Sequence, residues 1–356
     1  MEKAKLRDPL YDTLRGLLIW CIPISHFTRE AGSFVQDSFG GVIYITINVF
    51  VMQAFMFLSG YFSKNVDKSR STAFKTLLWP YILSIFFFYE VRNILWGNAT
   101  LYFNQPPFAM WFLLALFFYK FFLKDLIKIP HILWVSLIIY LIAGCIPFLT
   151  EFMALGRIAS YLPFFILGYY TDASHIEKIK KFSKLKMIPL GIGLITVSVL
   201  LAYKLPQVIH IWYLLRNPGS NTGVDWPLDI GMRLLLTVLG VLWIVLLFNM
   251  LPKKETYLSY VGRNTMPIYI FHLVIRQWLK GNDGLSFGAY YTPEPNSFIY
   301  YVLIISLASL SVIVFSSKPF VKIYDIAVDG SYKIFIEIPH NLFKRIINRD
   351  IKKGSL

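Results

Sequence analysis

Apolar residues run through this chain in long blocks, each closed by a short polar connection. The blocks fall at about 10–28, 41–62, 73–92, 108–123, 129–149, 155–171, 187–203, 229–251, 264–280 and 297–316. A helix needs about 20 apolar residues to cross a hydrocarbon core of ~30 Å, and most blocks approach that length. Backbone polar groups cannot stay unpaired in lipid, so blocks of this kind form helices. The pattern predicts an all-α, polytopic membrane helix bundle of about ten transmembrane helices. The fourth, sixth and ninth blocks are short or interrupted, and no internal repeat is visible.

Lys and Arg are unevenly shared among the connections. One alternate set holds Lys3, Lys5 and Arg7, then Lys64, Lys68, Arg70 and Lys75, then Lys124 and Lys128. It continues with the lysines between 178 and 186, with Lys253, Lys254 and Arg263, and with every basic residue beyond 317. The opposite set holds Arg29, Arg157, Lys204, Arg216 and Lys280. The positive-inside rule therefore places both termini in the cytoplasm, which requires an even number of spans. Residues 1–316 read as the integral membrane domain and 317–356 as a cytoplasmic basic amphipathic tail. In that tail "NLFKRIINRDIKK" alternates apolar and basic groups at helical spacing, which suits a helix lying on an anionic inner leaflet. The tail is too short for a soluble catalytic domain. The longest outer connection, 204–228, carries "NPGSNTGVDWP" and reads as a loop able to fold over an outer-facing site.

Composition agrees with this picture. Of 356 residues, 56% are hydrophobic and only 15% charged, too few charges to cover a soluble domain of this size. The net charge of +15 is accounted for by the inner connections and needs no nucleic-acid partner. The first block lacks a small-residue cleavage site and is expected to stay as a span. Cys21 and Cys145 both lie in apolar blocks and imply no disulfide framework.

The first block, "DTLRGLLIWCIPISHF", carries Asp12, Arg15 and His26. On a helix Arg15 and His26 are three turns and ~20° apart, with ~16 Å of rise, and Asp12 lies within ~40° of the same face. All three line one stripe, and charged groups in a span face a protein interior or a wet cavity. Two readings follow. In one, Asp12 and Arg15 form an interfacial ion pair and His26 bonds to a neighbouring helix. In the other, His26 is a general base that takes a proton from a hydroxyl, its tautomer set by a carboxylate.

The spacing Arg, ten residues, His in a first span, with Asp three residues before the Arg, resembles the membrane acyltransferase-3 family. "FMFLSGYFSKN", "KTLLWPY", "WFLLAL", "GRIASYLPFFILGYY" and "NTMPIYIFHLVI" are similar, in that order, to its fucose O-acetylase-like branch. The resemblance covers about residues 8 to 315. It implies transfer of an acyl group, commonly acetyl, from acyl-CoA to a hydroxyl of a cell-envelope or extracellular glycan or its lipid-linked precursor. It also implies catalytic roles for Arg15 and His26, with Asp12 as a candidate orienting group. Acetyl-CoA would be the donor substrate, with no cofactor bound permanently. Membrane lipid, a carbohydrate acceptor and a separate glycan-synthesis or acyl-transfer partner complete the expected company, in a bacterial cytoplasmic membrane.

Many relatives carry an Arg-rich motif after the second span, where this chain has Lys64, Lys68, Arg70 and Lys75. These are either the ordinary inner-side signal or a basic mouth for coenzyme A phosphates, lacking the bidentate fork that Arg supplies. Arg157 either snorkels to the interface or joins the cavity, and Trp111 offers a ring on which a sugar can stack. His272, with Arg276 one turn on, either packs between helices or adds a polar group to the cavity. Glu90 and Arg92 read as interfacial anchors, and Tyr61, Tyr169 and Tyr170 as packing or interface aromatics. No metal-binding pattern and no nucleophile elbow is present, so neither a metal nor serine chemistry is expected. Two rival functions share the same polar stripe: a transporter or flippase of a glycan lipid, and a non-catalytic membrane subunit of a glycan synthase.

Overall fold

The computed structural model describes residues 8–30, 38–97, 99–146, 149, 152–204, 224–281, 284–285, 294 and 296–344. These form helices and no strand among the described residues. The first is α1, Pro9–Glu30, followed by α2, Phe39–Asn48, and α3, Val51–Tyr61. Helix α4, Val66–Ala73, runs through a π-turn into α5, Trp79–Trp96. Then come α6, Trp111–Leu126; α7, Ile132–Ala143; α8, Leu155–Tyr170; and α9, Ala173–Lys181. The chain continues with α10, Lys184–Lys204; α11, Trp226–Met250; α12, Tyr257–Arg263; and α13, Thr265–Gly281. It ends in α14, Phe298–Phe315, and α15, Lys318–Asp325, which carries on helically to residue 344.

Every predicted apolar block lies on a helix, and the chain is the polytopic helical bundle its sequence predicts. Among the described residues, six helical rods are long and apolar enough to cross a membrane: 39–61, 66–96, 152–170, 184–204, 226–250 and 298–315. The remaining four blocks differ for stated reasons. Helix α1 has the length, but its charges dilute its hydropathy, while α6 and α13 have 16 and 17 residues. Helix α7 has only 12, much shorter than the 129–149 block. It starts after His131 in a left-handed conformation and stops at Gly144. There a Cβ would stand 1.9 Å from Asp229 Oδ2, so the position next to the Asp229–Arg233 pair admits glycine and no larger residue without a shift. The outer connection lies outside the described residues from 205 to 223, and the tail from 345 onward.

Two backbone-to-backbone crossings set the roll of the central helices. Where α1 meets α12, a Cβ on Gly16 would fall 1.9 Å from the Leu258 carbonyl oxygen, and one on Gly262 would fall 1.8 Å from that of Asp12. Where α3 meets α8, Gly60 faces the Phe165 carbonyl and Gly168 that of Phe57, each with 1.9 Å for a Cβ. Small residues allow such approach, which replaces the hydrophobic drive that lipid does not supply. A Thr13–Ser259 hydroxyl contact of 2.7 Å locks the first crossing.

A charged pair is buried on the other side of α8. Arg233 Nε donates to Asp229 Oδ2 at 2.8 Å on one face of α11, both groups being at most 2% exposed. Arg233 also donates to Ser160 Oγ at 3.3 Å and lies 5.2 Å over the Tyr140 ring, tying α11 to α8 and α7.

Two stability tests follow from this packing. Gly168→Val is expected to lower stability by about 1–3 kcal/mol, read as a reduced melting temperature in detergent, because a backbone carbonyl cannot move aside. Arg233→Met alone is expected to cost about 3–5 kcal/mol, and Asp229→Leu with Arg233→Met considerably less, since removing one partner strands a buried charge. A single variant as stable as its parent would show the pair to be hydrated.

Candidate active site

His26 lies in the fifth turn of α1, on the face that carries Ile22. Its Nδ1 is 2.9 Å from Nε2 of His272 on α13, and the two rings stack with centroids 5.2 Å apart. Nδ1 of His272 is in turn 2.8 Å from the carbonyl oxygen of Ile268, one turn back on its own helix. A carbonyl oxygen only accepts, so His272 Nδ1 carries a hydrogen. With both rings neutral, His272 Nε2 then offers a lone pair and His26 Nδ1–H donates to it. The remaining nitrogen, His26 Nε2, is left with its lone pair. This is the protonation state a general base requires.

His26 is partly exposed to a cavity enclosing about 640 Å³ of empty space, open mouth included. Arg157 and Trp111 share its wall, the guanidinium stacked 5.0 Å over the indole. Trp111 stacks on Tyr161 at 5.1 Å. Asn48, the last residue of α2 before the break that precedes α3, also lines the cavity. Its Nδ2 donates to Ser25 Oγ at 2.9 Å and to the Tyr44 carbonyl at 2.8 Å. Non-helical backbone at such depth is tolerated where it lines a cavity. The Tyr269 hydroxyl donates to the Ala109 carbonyl and fixes the loop before α6 against α13.

A second cavity of about 280 Å³ shares Ile22, Met52 and Tyr269 with the first. It continues past Ile19, Phe55 and Met266, one turn nearer the N-terminal end of α1. Beyond it lies Arg15, 3.9 Å from Asp12. Asp12 is also 3.9 Å from Arg263, which engages Glu255 at 3.0 Å.

The candidate residues therefore divide into four groups. His26, Arg157 and Trp111 meet at one cavity. His272 stands behind His26, fully buried, and orients it without lining the wall. Asp12 and Arg15 share the stripe with His26, but fourteen residues of helix put Asp12 ~21 Å away from it. The orienting partner of His26 is the second imidazole. Lys64, Arg70 and Lys75 lie at the exposed end of the bundle, already engaged. Lys64 donates to the Tyr169 carbonyl and pairs with Asp172 at 3.3 Å. Arg70 meets Asp125 at 2.5 Å and Lys75 meets Asp329 at 3.1 Å. Lys68 makes no ion pair among the described residues. Arg92 and Arg276 both approach the ring of Phe108, at 5.5 and 5.8 Å.

Sequence reasoning passed over Asn48, Lys120 and the Asp229–Arg233 pair. The last two were visible as charges inside apolar blocks, and Asn48 carried no signal apart from its place at a helix break. No group of His, Cys, Asp and Glu suited to a metal ion occurs among the described residues.

Compared with known protein families, residues 9–317 match the acyltransferase-3 family, described as an acyltransferase domain. No curated protein and no solved structure matches the chain. The matched region begins at α1, which carries Arg15 and His26, and runs through α14. With that match over most of its length and its polar site enclosed in a helical membrane bundle, the chain belongs to the acyltransferase-3 family and is a multi-pass membrane acyltransferase.

Proposed function

We propose that this protein transfers an acyl group, acetyl in the simplest case, from acyl-CoA to a hydroxyl of an envelope or extracellular glycan or its lipid-linked precursor. His26 acts as the general base. The observation that carries this reading is the chain from the Ile268 carbonyl through His272 to His26, which leaves Nε2 of His26 unprotonated at the wall of a cavity shared with Arg157.

The reaction balances on these groups. His26 Nε2 takes the proton of the acceptor hydroxyl as its oxygen attacks the thioester carbon. The imidazolium that forms is held by its Nδ1–H bond to His272. Negative charge gathers on the former carbonyl oxygen, where the Arg157 guanidinium stabilises it, and such donors commonly supply a large share of the rate. The carbon–sulfur bond then breaks, and the thiolate leaves with the proton from His26 Nε2. The ester and free coenzyme A are released, and His26 returns to its starting state. The donor arm runs along α1 through the second cavity, and the acceptor enters from the opposite side.

Purified protein in proteoliposomes, given labelled acetyl-CoA inside and de-esterified envelope glycan outside, tests this reading. Wild-type protein is expected to label the glycan, and His26→Ala to lower kcat by about 10²–10⁴-fold while remaining folded. His272→Leu removes the acceptor that sets the tautomer, and is expected to lower kcat by about 10–100-fold with little change in KM. Label transfer indifferent to His26→Ala would overturn the proposal. Movement of unmodified glycan across the membrane, with no acyl transfer, would favour a transporter instead.

A further inference from the structure

Asn48 lines the His26 cavity, half-buried, and the transfer step leaves it without a task. Its side-chain amide is fixed by its neighbours. Nδ2 donates one hydrogen to the Tyr44 carbonyl at 2.8 Å and the other to Ser25 Oγ at 2.9 Å. A carbonyl only accepts, so the atom facing Tyr44 is the nitrogen and the remaining atom is Oδ1. The main-chain carbonyl of Asn48, at the end of α2, is met by the Gln53 side-chain amide at 3.4 Å. Both amide hydrogens are thus committed, and Oδ1 keeps its lone pairs, with no hydrogen bond among the described residues.

Ser25 is in the complementary state. Its oxygen accepts from Asn48, and its hydrogen meets no acceptor among the described residues. Other buried serines turn back to their own helix: Ser160 donates to the Gly156 carbonyl at 2.7 Å, and Ser198 to that of Leu194 at 3.0 Å. A bare acceptor and a bare donor therefore stand together, joined through one hydrogen bond, on the wall that holds His26, the residue after Ser25.

Their place is away from the second cavity. On α1, Ile19 and Ile22 line the second cavity, and Ile22, Ser25 and His26 the first. On the facing segment, Met52 and Phe55 line the second, and Asn48, Val51 and Met52 the first. Both series put Ser25 and Asn48 at the end farther from the proposed path of the donor arm. A single ligand group that donates and accepts satisfies Oδ1 and the Ser25 hydrogen at once. A hydroxyl does both. An amide N–H, such as those of a pantetheine arm, only donates, and an ether or carbonyl oxygen only accepts.

Resting on the acyltransferase reading above, we infer that Asn48 and Ser25 are specificity-determining residues that bind a second hydroxyl of the acceptor sugar, beside the one acylated. That hydroxyl donates to Asn48 Oδ1 and accepts from Ser25 Oγ, which fixes the sugar oxygen that reaches His26 Nε2. The acceptor class is a ring with neighbouring free hydroxyls, and a ring deoxygenated or substituted at the neighbouring position is rejected. Polar groups set for a hydroxyl discriminate strongly against its absence, because they are left unpaired without it.

Synthetic fragments of the de-esterified envelope glycan, each lacking one ring hydroxyl, test this with the full-length protein in proteoliposomes and acetyl-CoA as donor. Wild-type protein is expected to lose about 10–100-fold in kcat/KM on one deoxy fragment that still carries the acylated hydroxyl. Asn48→Leu and Ser25→Ala are each expected to lose a similar factor on the intact fragment and to treat that deoxy fragment no worse, with KM for acetyl-CoA unchanged. Equal losses on every fragment would mark the pair as merely structural, and a raised KM for acetyl-CoA would assign it to the donor arm; either result overturns the inference. Ser25→Ala removes one oxygen only, so the test holds even where Asn48→Leu does not fold. Calorimetric binding of the same fragments separates this inference from the reading it rests on. His26-dependent transfer that treats all fragments with the acylated hydroxyl alike rejects the subsite and keeps the transferase. Binding that discriminates one deoxy fragment through Asn48 and Ser25, with no acyl transfer, keeps the subsite and rejects the transferase.

Discussion

A charged or strongly polar side chain in a hydrocarbon layer has to be turned toward protein or water, and α1 shows what this requires of a fold. Asp12, Arg15 and His26 share one stripe of that helix, so the roll of α1 about its own axis decides whether all three are sheltered or exposed to lipid. That roll is held by the crossing with α12, where Gly16 and Gly262 let two backbones touch. The crossing lies between Asp12 and His26 in the chain, so it acts on both ends of the stripe. A Cβ at either glycine would push the helices apart, and the stripe would lose its enclosure.

Once α1 is seated, the other elements supply its partners. Helix α13 brings His272 against His26, and α8 brings Arg157. Asn48, at the end of α2, adds an amide to the wall. Helix α8 is itself held twice: by its glycine-mediated contact with α3, and by Ser160 under the guanidinium of Arg233. The Asp229–Arg233 pair lies away from the cavity, and its effect is to anchor the helix that presents Arg157 and Tyr161. Arg15 and His26 ride on one helix, so their separation along it is set by helical rise and stays constant.

Much of this was legible in the chain. The apolar blocks were readable because membrane helices satisfy their own backbones, which makes hydropathy a local property. The stripe on α1 was readable because residues eleven and fourteen apart return to the same helical face. The end of α7 at Gly144 was not, since the apolar block runs on beyond it and the side chains packed against Gly144, Asp229 and Arg233, come from more than eighty positions away in the chain. The ion pairs of Lys64, Arg70 and Lys75 were not legible either, because their acidic partners, Asp172, Asp125 and Asp329, come from three distant segments.

By itself, then, the order of residues determined the helical bundle and the polar face of its first helix, which follow from periodicity within single segments, while His26 as candidate base came from the family resemblance. Only the tertiary structure decided which group orients that base. An imidazole's tautomer is set by whatever lies within hydrogen-bonding distance of its other nitrogen. For His26 this is His272, 246 positions further along the chain and brought near by packing alone, while Asp12 on the same helix is held away by the rigid rise of the helix that carries them both.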